Sequence, residues 1–187
     1  MKRIVGGLAV AAALLMAPGV AYAGDPDAEK VELVDKCDKA SFDATFGPGL
    51  CQRDVGSVSA QEWQAEMNPE DFGHGAWWIN ASGGRVGTTK IDRGDWLRVS
   101  NIGGESHTFT NIEAYSTATS FTGGCIAPLS VPLGLTERFP GDCGAAIAAT
   151  TVAPGKTVDF KGLGVGTYHY ICLFHPWMRQ TVKVERD

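Results

Sequence analysis

Near the C-terminus, Cys172, His175 and Met178 stand in the order Cys-x2-His-x2-Met. They lie within the run Tyr168-His169-Tyr170-Ile171-Cys172-Leu173-Phe174-His175-Pro176-Trp177-Met178. A soft thiolate and two imidazoles in a trigonal plane, with a weak axial thioether, form the ligand set of a blue-copper electron-transfer site. The run offers three of those four donors and leaves one histidine to come from upstream. A cysteine near a histidine is more often packing or half of a disulfide, and a methionine beside a tryptophan is more often core. Three soft donors at this spacing on one loop point instead to one bound copper ion.

Such donors need a rigid mount. Thr167 to Ile171 is aromatic and β-branched, which predicts a strand. Pro176 cannot continue a strand into a sheet interior. After it, Thr181-Val182-Lys183-Val184-Glu185 alternates and predicts another strand. The donors therefore fall on a strand end and the tight loop that follows. His169 also lies close to Cys172, but three residues apart on a strand the two side chains take opposite faces. That disfavours His169 as a ligand.

From Tyr168 to Arg179, followed by the alternating strand, the sequence resembles the end of a cupredoxin. Within that family the short Cys-x2-His-x2-Met loop, with Pro after His, is similar to the amicyanin type. The resemblance spans roughly residues 84–185 and is thin between Asn111 and Ala153. It implies an all-β fold, a Greek-key β-sandwich or barrel, with a mononuclear type 1 copper cycling between Cu(II) and Cu(I). His107 follows a Gly103-Gly104 turn and opens a β-rich segment, as the first ligand does in cupredoxins. The implied metal ligands are His107, Cys172, His175 and Met178. In most small cupredoxins the residue after the first histidine is an asparagine that ties the two ligand loops together. Here it is Thr108, whose shorter reach puts the bond to the Cys172 sulfur in question. Pro176 and Trp177 are expected to flank a solvent-facing edge of His175 where electrons enter and leave. Amicyanin-like protonation of that histidine in the reduced state would raise the reduction potential as pH falls.

The compartment follows from the other end of the chain. Met1-Lys2-Arg3, an apolar stretch from Ile4 to about Ala17 and the small residues of Ala21-Tyr22-Ala23 predict a secretory signal peptide over 1–23. Its style is bacterial, so the expected location is the periplasm. Loss of Lys2 and Arg3 with that leader takes the formal charge from −5 to −7. An acidic surface argues against nucleic acid and suits a basic protein partner. All five cysteines, at 37, 51, 125, 143 and 172, follow the leader. An oxidising compartment favours disulfides, and if Cys172 holds metal four remain to pair. Proximity favours Cys37–Cys51 and Cys125–Cys143 over the other two connectivities. Each would close a loop of about 15 to 20 residues, worth roughly 3 kcal/mol.

Along the chain, residues 24–83 read as an N-terminal extension and 84–187 as the copper domain, with an insertion at about 115–151. Residues 24–58 are polar, without sustained periodicity, and no regular structure is expected there. Ser59-Ala60-Gln61-Glu62 fits a capping box and predicts a short helix carrying Trp63 and Met67 on one face. Met67 is expected in packing and His74, in a Gly-rich turn, at the surface or in packing. Asn80-Ala81-Ser82 matches a glycosylation acceptor, which a bacterial protein would leave unused. Strands are expected over Val86 to Ile91, Trp96 to Ile102, His107 to Ile112, Thr157 to Phe160, Thr167 to Cys172 and Gln180 to Glu185. Leu97, Val99 and Asn101 share one face of the second. The stretch from Tyr115 to Thr151 is long for a loop in one domain. It is expected to be a disulfide-pinned insertion covering part of the copper end.

The function expected is a periplasmic carrier of single electrons, a monomer that docks transiently with redox proteins such as a cytochrome c or a periplasmic dehydrogenase. The alternatives are a copper-binding domain of an oxidoreductase, such as a copper oxidase or nitrite reductase, and a copper chaperone or sensor. The enzymes need a His-Cys-His run, whereas this chain has Ile171-Cys172-Leu173 and four histidines in all. Chaperones favour Met- and His-rich exchangeable sites, and the chain after the leader has only Met67 and Met178.

Overall fold

Val31, Leu33 and Asp35 alternate along one face of an N-terminal strand, and Leu97, Val99 and Asn101 do so along another; all six are buried. The two strands lie side by side in the same sheet. The computed structural model describes residues 27–54, 56–66, 76–84, 87–113, 122–123, 125, 137–139 and 141–186. The leader, Met67 and His74 lie outside the described residues.

The described elements are, in order, β1 (Ala28–Asp35), α1 (Lys39–Phe46), α2 (Ala60–Glu66), β2 (Trp77–Asn80), β3 (Thr88–Asp92), β4 (Trp96–Asn101), β5 (His107–Thr108), β6 (Thr110–Ile112), β7 (Thr122–Gly123) and β8 (Glu137–Arg138). They continue with α3 (Cys143–Thr150), β9 (Thr151–Val152), β10 (Thr157–Phe160), β11 (Gly166–Ile171) and β12 (Arg179–Glu185). One sheet runs β10-β4-β1-β2 and a second β3-β12-β11-β6. Pairs β5-β9 and β7-β8 stand apart from them. Pairing is mixed: β1 runs parallel to β4 and β12 parallel to β3, the other pairs within the two larger sheets being antiparallel. The chain passes repeatedly from one sheet to the other. Val31, Leu33, Ile79, Leu97 and Val99 of the first sheet share one core cluster with Ile91, Tyr170, Val182 and Val184 of the second. The molecule is the expected β-sandwich.

The strands expected over Val86 to Ile91, Trp96 to Ile102, Thr157 to Phe160, Thr167 to Cys172 and Gln180 to Glu185 are present to within a residue or two at their described ends. His107 to Ile112 instead divides at Phe109 into β5 and β6, which pair in different sheets. Helix α2 starts as its capping box requires. Glu62 Oε2 accepts from the Ser59 amide at 2.8 Å, and the Glu62 amide donates back to Ser59 Oγ at 3.2 Å.

Two segments differ from expectation. The described residues within 24–58 are not all irregular, since β1 is an interior strand bonded to β4 on one side and β2 on the other. Its alternation, Val31 and Leu33 against the charged Lys30 and Glu32, is short; partners distant in sequence on both edges make it a strand. Helix α1 follows, with Asp38 accepting from the Ser41 amide as its cap. Thus β1 and β2, which precede residue 84, share a sheet with β4 and β10, which follow it. Within 115–151, Asp142 caps α3 through the Ala145 amide, so part of the insertion is helical.

Both expected disulfides are present. Cys37–Cys51 and Cys125–Cys143 have Cα separations of 6.0 and 5.5 Å, and Cys172 is free and buried.

Candidate metal centre

His107 stands on β5, and Cys172 lies at the end of β11, whose pairing with β6 and β12 fixes its direction. The loop after it folds back on itself. Met178 donates its amide to the His175 carbonyl at 2.8 Å, and the Cys172 amide donates to the Met178 carbonyl at 3.1 Å. Pro176, inside that turn, has no amide to satisfy. The result brings together atoms from positions 65 residues apart: Cys172 Sγ lies 3.8 Å from Nδ1 of His107 and 3.8 Å from Nδ1 of His175. The three donor atoms all lie within 4.8 Å of one another. Metal–imidazole and metal–thiolate bonds of about 2.0 and 2.3 Å set 120° apart would separate N from S by about 3.7 Å. That spacing would let His107, Cys172 and His175 hold a metal ion between them. Met178 is fully buried on the same loop.

The sulfur is held by more than its chain neighbours. The Thr108 amide donates to Cys172 Sγ at 3.4 Å, and Thr108 Oγ1 accepts the Leu173 amide at 2.7 Å. The threonine thus ties the two ligand loops together, with its backbone, not its side chain, reaching the sulfur. Strand β9 pairs with β5 across His107 and Val152, and the Phe109 amide donates to the Thr150 carbonyl, so α3 and β9 brace the first histidine. The Cys125 amide donates to the Leu173 carbonyl at 2.9 Å, which seats the second disulfide against the ligand loop. His169 takes no part: it is half-buried, with Nδ1 3.4 Å from Thr181 Oγ1.

The expected solvent-facing edge of His175 is absent. His175 is 1% exposed. Trp77 stacks on its ring at 4.8 Å between centroids and 18° between planes, and Trp177 packs beside it at 5.5 Å. Phe42 of α1 and Trp63 of α2 pack on Trp77, and Trp63 also meets Trp177. The cover comes from the N-terminal elements, which fold over the end of the sandwich that Pro176 and Trp177 would otherwise leave open.

Three residues near the donors escaped the sequence reading. Asp35, at the end of β1, lies 2.9 Å from His107 Nε2 through Oδ2, with both side chains fully buried. Glu105 places Oε2 3.5 Å from His175 Nε2 and accepts from the Trp77 indole at 3.0 Å. A signal for Asp35 existed, because it continues the two-residue period of Val31 and Leu33 and so points inward. Nothing local marks Glu105 or Trp77.

The charges respond to this company. Burial alone would raise the Cys172 thiol, but hydrogen bonds and charge from His107 and His175 hold it well below its ordinary value. Burial would lower His107, but Asp35 and the Cys172 sulfur raise it to about 9. Burial would raise Asp35, yet bonds from His107 and the amides of Gly104 and Glu105 hold it below the usual carboxylate range. A second group of metal-capable side chains, Cys37, Cys51 and Glu105, has its sulfurs joined in a disulfide.

No protein-family profile matches the chain, and no curated protein does. Solved structures do. A purple cupredoxin from Nitrosopumilus maritimus is 18% identical, with 52% of this chain and 77% of that one covered and a TM-score of 0.32. An amicyanin variant in its reduced state is 21% identical over 52% of this chain and 69% of its own, at a TM-score of 0.31. A copper-containing nitrite reductase from Thermus scotoductus is 16% identical over 54% of this chain but only 19% of its own, at a TM-score of 0.33.

Proposed function

We propose that this chain is a cupredoxin-like electron carrier in which His107, Cys172, His175 and Met178 hold one copper ion. The observation that carries this reading is the donor set itself: two Nδ1 atoms, each 3.8 Å from one cysteine sulfur, buried together. Bound copper would supply one reversible electron, Cu(II) to Cu(I). The chain's own residues do the rest. The sandwich and the Thr108 bridge hold the donors in one arrangement for both oxidation states, which keeps reorganisation small. The Thr108 amide donates to the thiolate and tempers its charge. His107 and Met178 are 0% exposed, as is Cys172, so a substrate has no open position among these donors. That favours electron transfer to a docked protein over catalysis on a bound small molecule.

The partners on this reading are periplasmic redox proteins, a cytochrome c or a dehydrogenase, met transiently by a monomer. Two disulfides suit an oxidising compartment outside the cytoplasm. Among the described residues no helix is long and apolar enough to cross a membrane.

The test is a visible and paramagnetic-resonance spectrum of the copper-loaded protein, with metal counted per chain. One copper giving an intense thiolate-to-copper band, lost in Cys172→Ser and in His107→Ala, is the expected result. A colourless copper complex, or colour that survives Cys172→Ser, would overturn it.

A further inference from the structure

We propose that Asp35 and Glu105 are paired positioning residues, one buried carboxylate for the remote nitrogen of each imidazole, which fix both rings and weight the site toward the oxidised metal. This rests on the copper reading above. Each histidine turns Nδ1 toward Cys172 and leaves Nε2 pointing away from it. Asp35 Oδ2 meets His107 Nε2 at 2.9 Å, and Glu105 Oε2 lies 3.5 Å from His175 Nε2. With Nδ1 committed to a metal, Nε2 carries the ring proton and aims it at an acceptor. A carboxylate there selects the tautomer, sets the ring plane and makes the imidazole a stronger donor.

Both carboxylates sit where only a satisfied charge persists, being 3% and 1% exposed. Backbone amides donate to both. Asp35 accepts the Gly104 amide at 2.9 Å and the Glu105 amide at 3.1 Å, besides His107. A side chain at position 103 would collide with that carboxylate, so Gly103 leaves the room Asp35 needs. Glu105 accepts the amides of Gln52 and Arg53 at 2.5 and 3.1 Å and the Trp77 indole at 3.0 Å. The Cys37–Cys51 disulfide closes the loop just before Gln52. Glu105 thereby links His175 to the N-terminal segment, and Asp35 comes from that segment outright. The segment is thus part of the metal centre as well as its cover.

The energetic sense follows from charge. Cu(II) carries one more positive charge than Cu(I), and two fixed negative charges in a buried site favour the higher charge. Neutralising either carboxylate should therefore raise the reduction potential, and turning its ring should alter the copper spectrum.

The experiment compares native protein with Asp35→Asn and Glu105→Gln, copper-loaded, by voltammetry and paramagnetic resonance, with melting of each metal-free form as the folding control. Glu185→Gln serves as reference, because Glu185 is exposed and pairs with Lys90 at the far end of β12. Both buried variants should raise the potential and change the copper hyperfine pattern, while the reference changes neither. Unchanged potential and spectrum in a folded Asp35→Asn or Glu105→Gln overturns the proposal. So does an equal shift in the reference, which would reduce the effect to net charge. Should both variants fail to fold, proton exchange at the Nε2–H groups of native Cu(I) protein decides: slow exchange at both rings supports the pairing, and exchange at the solvent rate at either sinks it. A native protein that takes no coloured copper would instead defeat the copper reading, a separate result.

Discussion

Without metal, Cys172 and His107 form a buried pair whose charges depend on one another. The thiol is held well below its ordinary value and the imidazole is raised to about 9. A group whose folded value is raised stabilises the fold fully below its ordinary pKa of 6.5 and loses that contribution as pH climbs through about 9. The depressed thiol has the opposite sign: its contribution is present above the ordinary 9.0 and is lost as pH falls through the folded value. For metal binding the imidazole is the group that matters at neutral pH, because its proton must leave before Nδ1 can bind. Copper uptake should therefore release about one proton from His107 at pH 7 to 8, and progressively less as pH climbs through about 9. Apparent affinity should fall about tenfold for each pH unit below that point. Titration calorimetry in buffers of different ionisation enthalpy measures the release. Uptake without a proton at pH 7 would show that Asp35 and Cys172 do not hold His107 charged.

At the scale of elements, the N-terminal strand and helices change what the ligand loop can do. A Cys-x2-His-x2-Met loop with its histidine at the surface would let the ring swing out and take a proton in the reduced state. Here α1, α2 and β2 bring Phe42, Trp63 and Trp77 over that end, and His175 lies between Trp77 and Trp177. Moving the ring requires opening an aromatic cluster whose members are buried at 0% exposure, and truncating one such side chain costs about 3–5 kcal/mol. The reduction potential should accordingly stay flat between about pH 5 and 8, the range in which an unrestrained histidine titrates. Voltammetry across that range tests it, and a potential rising steadily toward low pH would mean that the cover opens.

For the molecule as a whole, two disulfides brace the metal end from opposite sides of the sequence. Cys37–Cys51 closes the loop whose next two amides hold Glu105, and Cys125 donates its amide to Leu173 beside Cys172. The bridges span 14 and 18 residues. Loops of that size each contribute about 3 kcal/mol by restricting the unfolded chain. Replacing either pair by serine should lower unfolding stability by about that amount in denaturant titration of the metal-free protein. If both replacements left stability unchanged, the bridges would be ornaments on a fold stable without them.

The sequence by itself determined the candidate donors, because metal preference belongs to side-chain chemistry and Cys172, His175 and Met178 are neighbours in one loop. It also determined the disulfide pairing, through parity and proximity, and the late strands, through a two-residue period that needs only local information. His107 entered through a family resemblance, and the tertiary structure then placed its Nδ1 beside the sulfur. What only the tertiary structure decided is everything that depends on the elements from β1 to β2 meeting the C-terminal loop. Strand β1 is weakly patterned and exists because β2 and β4 flank it. Asp35 reaches a histidine 72 residues away, and Trp77 covers another from a separate strand. Such contacts leave no periodic trace, since each partner satisfies its own local environment whether or not the other is near. The candidate loop was therefore legible in the sequence, while its burial and the carboxylates behind His107 and His175 come from long-range packing.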